Sequence, residues 1–350
     1  MRWMAVLGTA SLGLACGGEP DSRDSTSAGP GIGSLSMSAS ASAGTDGDTE
    51  TTAGTAADGS ATAAVTATAG DSSSGGAPRF DLGVQPDAGP PVEEGCTKVD
   101  FLFVIDNSGS MADEQDNLTA SFPGFIAGIE SALEQVDEYQ VGVVTTDAYG
   151  PNTAAPGCNV LGGLVTRTGG SDSSSSVCGP YAAGHNYMTE ADDLDTAFAC
   201  AADVGTAGDG CERPMDAMTN VLEKTVGQCN NGYLRDDALL VLVIITDEYD
   251  GAGDPELCNS SGDPMSWYDT VVASKLGIPE NAVALGLLNY AGGPCPPDNQ
   301  VYDGGNIVNF VSTFGPNGFL GGICEPDYGP VFSEAVGIIE EACNNFTPPG

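Results

Sequence analysis

The sequence predicts an α/β domain built as a doubly wound, mostly parallel sheet with helices on both faces. Three observations predict it. Near-continuous apolar runs of six to eight residues recur along residues 96–350, as strands buried on both faces require. Segments with apolar residues at helical spacing stand between the runs, the signature of a parallel sheet with crossover helices. Short polar turns follow directly on two of the runs, at the carboxyl edge where open α/β sheets hold their ligands.

The chain is not uniform along its 350 residues. Residues 1–16 read as an export signal, in which Arg2 supplies a small positive region and Met4 to Ala15 a mostly apolar stretch. That stretch is too short to span a bilayer as a helix. Cys16, followed by Gly17 and Gly18, resembles the lipidated cysteine of a bacterial lipoprotein, with Gly13 standing where that pattern prefers leucine. The alternative is an ordinary cleaved signal with an incidental cysteine. The spacer that follows favours lipidation, because a tethered domain needs one. Residues 17–79 hold no Phe, Tyr or Trp and are dominated by Ser, Thr, Gly and Ala. Such a segment cannot bury enough apolar surface to offset its ordering entropy, so residues 17–95 are expected to be a disordered linker. As a flexible coil of about 75 residues it would span roughly 50 Å.

From Cys96 onward the elements follow in order. Val99–Ile105 (VDFLFVI) is the first buried strand. Residues 112–136 form a helical region, with a break expected at Pro123 and Gly124 because proline removes an intrahelical donor. Gln140–Thr145 is the second strand. From Asp147 to about Gly184 the chain is rich in Gly, Ser and Pro, an excursion of turns with room for a hairpin. Helical spacing returns over residues 190–203 and 213–226, where Met215, Met218, Val221 and Leu222 share one face. Ala238–Ile245 (ALLVLVII) is the clearest central strand. A helix over Trp267–Leu276, a strand over Ala282–Leu288, a helix over Ile307–Phe314, the short strand GFLGGIC and a helix over Val331–Ala342 complete the series.

Charge excludes one class of function. The chain carries 49 acidic and 9 basic residues, and residues 96–350 alone carry 37 against 6, a formal net of −31. That field repels nucleic acid and anionic membrane surfaces, so no nucleic-acid partner is expected and membrane contact only through a lipid at Cys16. Eleven cysteines leave an even ten once Cys16 is assigned to a lipid. There is no CxxC pair, and the single histidine, His185, cannot help build several zinc sites. Up to five disulfides in an oxidising compartment are therefore expected. Cys96 with Cys343 would tie the domain ends, and Cys200 with Cys211 would clamp the loop between them. No GxSxG elbow accompanies His185, which reads as a polar loop residue rather than part of a hydrolytic triad.

Two polar segments carry the chemistry. Asp106-Asn107-Ser108-Gly109-Ser110-Met111 follows the first strand, and Thr246-Asp247 follows the central one. Hard divalent cations take oxygen ligands. Asp106, Ser108 and Ser110 offer a carboxylate and two hydroxyls on alternate residues of one turn, which Gly109 allows to fold tightly. Asp247 adds a carboxylate from a neighbouring strand. The acidic stretch from Asp247 to Asp254 lacks the spacing of a helix–loop–helix calcium site and reads as a solvated loop.

VDFLFVIDNSGSM resembles the first strand and metal-ion-dependent adhesion site of von Willebrand factor type A domains. VLVIITDE is similar to their fourth strand, which usually ends in TDG. The resemblance extends over about residues 97–343 in the order and spacing of elements. It implies a dinucleotide-binding type of fold and a Mg²⁺, Mn²⁺ or Ca²⁺ ion. It further implies direct ligation by Ser108 and Ser110, with Asp106 and Asp247 acting mostly through water. A threonine ligand on a loop before a helix is also implied, and Thr206, in a longer, Cys-flanked loop than the family's, is the choice; Thr189 and Thr219 look helix-associated. Glu248 replaces the family's glycine and would add an outer-shell carboxylate or crowd the open face. The expected function is a non-enzymatic binding module, exported and lipid-anchored at the bacterial outer membrane or cell surface. It would use the ion to engage an Asp or Glu of an extracellular or envelope protein. The alternative is a structural or assembly component of a cell-envelope complex, in which the metal only stabilises the loops.

Overall fold

Burial on both faces fixes the middle of the sheet. Strands β1 (Lys98–Ile105) and β4 (Leu239–Ile245) pair in parallel, and every residue from Val99 to Ile105 and from Leu239 to Ile245 is buried. The computed structural model describes residues 95–133, 135–153, 157–251, 258–296 and 304–350. The expected signal, Cys16 and the linker up to residue 94 lie outside the described residues. Strand β2 (Glu138–Thr145) lies parallel to β1 on its other side, and β5 (Ala282–Leu288) parallel to β4. Strand β6 (Gly318–Gly322) extends the sheet in parallel beyond β5, whereas the two-residue β3 (Met188–Thr189) closes the β2 edge antiparallel. The order is β3-β2-β1-β4-β5-β6. The fold is thus mixed α/β with a six-stranded, mostly parallel sheet, consistent with a doubly wound arrangement.

Among the described residues six helices cover the sheet: α1 (Ala112–Ala132), α2 (Leu194–Ala202), α3 (Pro214–Leu222), α4 (Pro264–Ser274), α5 (Gly305–Thr313) and α6 (Gly329–Asn344). The period-two alternation of strands divides the core between them. Phe101, Phe103, Ile105, Val241 and Val243 face α1, α2 and α6, where they meet Leu118, Phe122, Phe125, Phe198 and Phe332. Leu102, Val104, Leu240, Leu242 and Ile244 face the other way, toward Met215, Met218, Trp267 and Phe310 of α3, α4 and α5. Phe122 stacks on Phe198 with ring centroids 3.5 Å apart, which locks α1 to α2.

The expected break in α1 does not occur. Pro123 lies inside a continuous helix. It and Gly124 are exposed while Phe122, Phe125 and Ile126 are buried, so the hydrogen bond that proline forgoes falls on the solvent side and core packing carries the helix through. The excursion before β3 is organised by buried Asn152. Its Nδ2 donates to the carbonyls of Cys158 (2.8 Å) and Leu164 (2.9 Å), and its Oδ1 accepts from the Thr166 amide (3.0 Å). One antiparallel bridge, Arg167 with Val177, is the described remnant of a hairpin there.

Five disulfides pair all ten cysteines from Cys96 onward: Cys96–Cys343, Cys158–Cys229, Cys178–Cys200, Cys211–Cys258 and Cys295–Cys324. The terminal tie is the expected one. The expected Cys200–Cys211 clamp is not formed. Cys200 sits on α2 and Cys211 just before α3, and these helices cover opposite faces of the sheet, so the chain carries Cys211 away from Cys200.

Near the start of β1 an ion cluster closes the other end of the sheet. Asp100 is fully buried and accepts from the backbone N–H and the Nε of Arg235, both at 2.8 Å. Arg235 also reaches Glu138 at 2.9 Å, and its carbonyl accepts from the buried Lys275 at 2.7 Å. Burial pushes Asp100 up to about 6, against the opposing pull of Arg235. Arg235→Ala would strand this carboxylate, so urea unfolding should show a loss of roughly 3–5 kcal/mol. Adding Asp100→Asn should recover part of that loss.

Candidate metal centre

The β1–β4 pairing brings the two polar segments together. Ile105 stands opposite Ile245, and the Asp106 amide continues the ladder by donating to the Ile245 carbonyl at 3.0 Å. The next residues on each strand therefore leave the sheet side by side at its carboxyl edge. Asp106 is fully buried. Its Oδ1 accepts from the Ser108 amide at 2.8 Å, closing the turn, and its Oδ2 accepts from the Thr246 hydroxyl at 2.5 Å. The Thr246 Oγ1 in turn accepts from the Glu248 amide at 3.0 Å, so one hydroxyl links both segments. The Ser108 and Ser110 hydroxyls lie 3.1 Å apart.

The loop between α2 and α3 is stitched over this edge. Gln115, on the first turn of α1, donates from Nε2 to the carbonyls of Asp106 and Gly205, each at 3.0 Å, and accepts from the Gly205 amide at 2.8 Å. The Gly208 amide donates to the Asn107 carbonyl at 2.9 Å. A side chain at Gly208 would bring its Cβ to 2.5 Å from that carbonyl, so only glycine allows the approach. Arg213 closes the loop by donating its amide to the Thr146 carbonyl at 2.8 Å.

Between these segments lies a pocket of about 410 Å³ whose lining includes Ser108, Ser110, Glu212, Glu248 and Tyr249. Glu212 is buried beside Asp106, and neither of its carboxylate oxygens has a hydrogen-bond partner; Asp247 Oδ1 is equally without one. Among the described residues no ion pair involves Asp106, Glu212, Asp247 or Glu248. Burial raises all four carboxyls above the usual range. The negative charge of Asp106 adds to the rise at Glu212, Asp247 and Glu248. Glu114 nearby is pushed up to about 7, chiefly by burial and then by Asp113 and Asp247. The centre is a crowded set of oxygen donors that no cationic side chain among the described residues meets.

Of the residues read from the sequence, Asp106, Ser108, Ser110 and Asp247 meet at this edge, and Glu248 lines the same pocket. Thr206 is not brought there. Its hydroxyl donates to Asp172 Oδ2 at 2.6 Å and its amide to the Ser171 carbonyl, so it faces the serine-rich excursion. The cause is Gly205, held by Gln115 with φ +80°, which turns the following residue outward. Glu212, which the sequence analysis does not single out, lines the same pocket. Its signal was positional: Pro214 marks the first turn of α3, which makes Glu212 one of the last loop residues before the helix. Among the described residues no three His, Cys, Asp or Glu side chains converge as a ready metal cluster. A cation here would need the serine hydroxyls to complete its shell.

No family model matches the chain, and no curated protein matches it. A solved structure with some likeness is the proximal thread matrix protein 1 of the mussel byssus, at 12% identity and a TM-score of 0.39. The match covers 70% of this chain and 49% of that one, so the chain spans about half the length of that protein.

Because Gln115 holds both the amide and the carbonyl of Gly205, Gln115→Leu should cost about 1–3 kcal/mol for the backbone groups it leaves unpaired. Hydrogen exchange should rise across residues 203–213 while β1 and β4 stay protected.

Proposed function

We propose that this chain is a divalent-cation-dependent binding module of the von Willebrand A kind, exported and tethered to the bacterial surface through a lipid at Cys16. One observation carries the reading: two serine hydroxyls 3.1 Å apart open onto a pocket lined by the buried Glu212 carboxylate, which no donor reaches, and Asp247 Oδ1 at the same sheet edge is likewise without a donor. Such oxygens are costly to bury bare. All are hard donors, without cysteine or histidine among them, which suits Mg²⁺, Mn²⁺ or Ca²⁺. The residues present thus fit the ion that the sequence motif implies.

Ser108 and Ser110 would hold the cation, with Asp247 beside them. Asp106 would act as the positioning group, since its two oxygens already fix the Ser108 amide and Thr246. Bound there, the cation would supply a positive point on a domain whose net charge is −31. An Asp or Glu of an extracellular or envelope protein is the complementary partner. The five disulfides support export, because such bonds persist in oxidising compartments.

Thermal unfolding in EDTA against MgCl₂, MnCl₂ or CaCl₂ tests the reading. A cation at one hundred times its Kd should add about 2.7 kcal/mol, visible as a rise of several degrees in Tm. Asp106→Asn should lose most of that rise. No shift with any of the three ions would overturn the proposal. Affinity capture of surface proteins separates the two roles: a partner that stays bound in EDTA identifies an assembly component rather than a metal-dependent receptor.

A further inference from the structure

Glu212 meets no amide, hydroxyl or cationic donor, only the carboxyl of Asp106 beside it. It is 8% exposed, yet both its oxygens lack a hydrogen-bond partner. Its backbone is fixed on either side. Cys211 is bonded to Cys258, and the Arg213 amide is held by the Thr146 carbonyl at the end of β2. The side chain is therefore presented to the pocket it shares with Ser108 and Ser110. The nearest cation in sequence, Arg213, is committed to Asp216 at 3.4 Å. Two carboxyls buried side by side, with no amide, hydroxyl or cation donating to Glu212, cost the fold unless a proton or a cation lies between them.

We propose that Glu212 is a direct carboxylate ligand of the divalent cation held by Ser108 and Ser110. The inference rests on the cation reading above. It assigns a role to a loop residue that the DxSxS motif does not include. It also changes the electrostatics of the centre. Glu212 would add its carboxylate to that of Asp247 beside one divalent ion, with Asp106 kept behind them by the Ser108 amide and the Thr246 hydroxyl. The ion is then held more by the chain's own charge, and an external acidic group has less unbalanced positive charge to engage.

Calorimetric titration of the full chain with CaCl₂ and MgCl₂ tests this, comparing wild type, Glu212→Gln, Glu212→Asp and Ser108→Ala. Glu212→Gln keeps the side-chain shape and should melt in EDTA at or above the wild-type temperature, because a buried acid crowded against Asp106 is replaced by a neutral amide. Its Kd for the cation should rise at least tenfold, with Glu212→Asp between it and wild type. Cation binding by Glu212→Gln as tight as wild type, with Ser108→Ala impaired, would overturn the role of Glu212 and leave the cation reading standing. An EDTA melting temperature well below wild type for Glu212→Gln would also overturn it, by revealing a structural partner for the carboxylate. Absence of saturable binding by the wild type would remove both proposals together.

Discussion

A carboxylate shut away from water at the end of β1 organises this protein. Asp106 cannot turn to solvent, so its oxygens must be satisfied by the chain, and the donors available are the Ser108 amide and the Thr246 hydroxyl. The first bond shapes the turn that holds Ser108 and Ser110. The second reaches across to β4 and fixes the segment carrying Asp247. Both depend on the parallel register of β1 with β4, which is enforced by side chains buried on the two faces of each strand. Hydrophobic packing thus sets the geometry of a polar site that it does not touch.

The loop from α2 to α3 is the second level of that organisation. It must pass from one face of the sheet to the other, and it does so over the carboxyl edge. Gln115, the Asn107 carbonyl and the Thr146 carbonyl fasten it there. Cys211–Cys258 joins it to the segment after β4. Two strands and one crossing loop therefore converge on a single pocket. The acidic groups they deliver raise one another's affinity for protons through burial and mutual repulsion. A divalent cation would relieve that strain, which is the physical basis of the proposed function.

Disulfides do the work at the periphery that the core cannot. The domain carries long irregular segments, such as residues 147–187, with little regular secondary structure. Cys158–Cys229 and Cys178–Cys200 anchor the serine-rich excursion to the regular elements, and Cys96–Cys343 joins the two ends. At the far edge of the sheet, Asp100, Arg235 and Lys275 form a buried polar cluster of a different kind, in which each charge has its partner. The contrast between that satisfied cluster and the bare oxygens around Glu212 is what distinguishes a structural site from a candidate functional one.

Strands β1, β4 and β5 were legible in the chain because residues buried on both sides must be apolar throughout, and such runs have few other readings. The Asp106 and Asp247 turns were legible because polar residues released from such runs can only lie at the sheet edge. Two-residue β3 had no pattern to read, since its pairing comes from where the excursion ends. Pro123 misled because its position in sequence does not say which side of the helix faces water. The Cys96–Cys343 tie was legible from its place at the domain ends, but the partners of Cys200 and Cys211 and the positions of Thr206 and Glu212 were not. Both turn on how one loop crosses the sheet, and that path is set by contacts of Gln115, Gly205 and Gly208 with residues remote in sequence. The sequence by itself determined the layers and two of the strand ends that build the site. Only the tertiary structure decided which loop residues lie at that edge, because periodicity encodes burial along an element but not the path taken between elements.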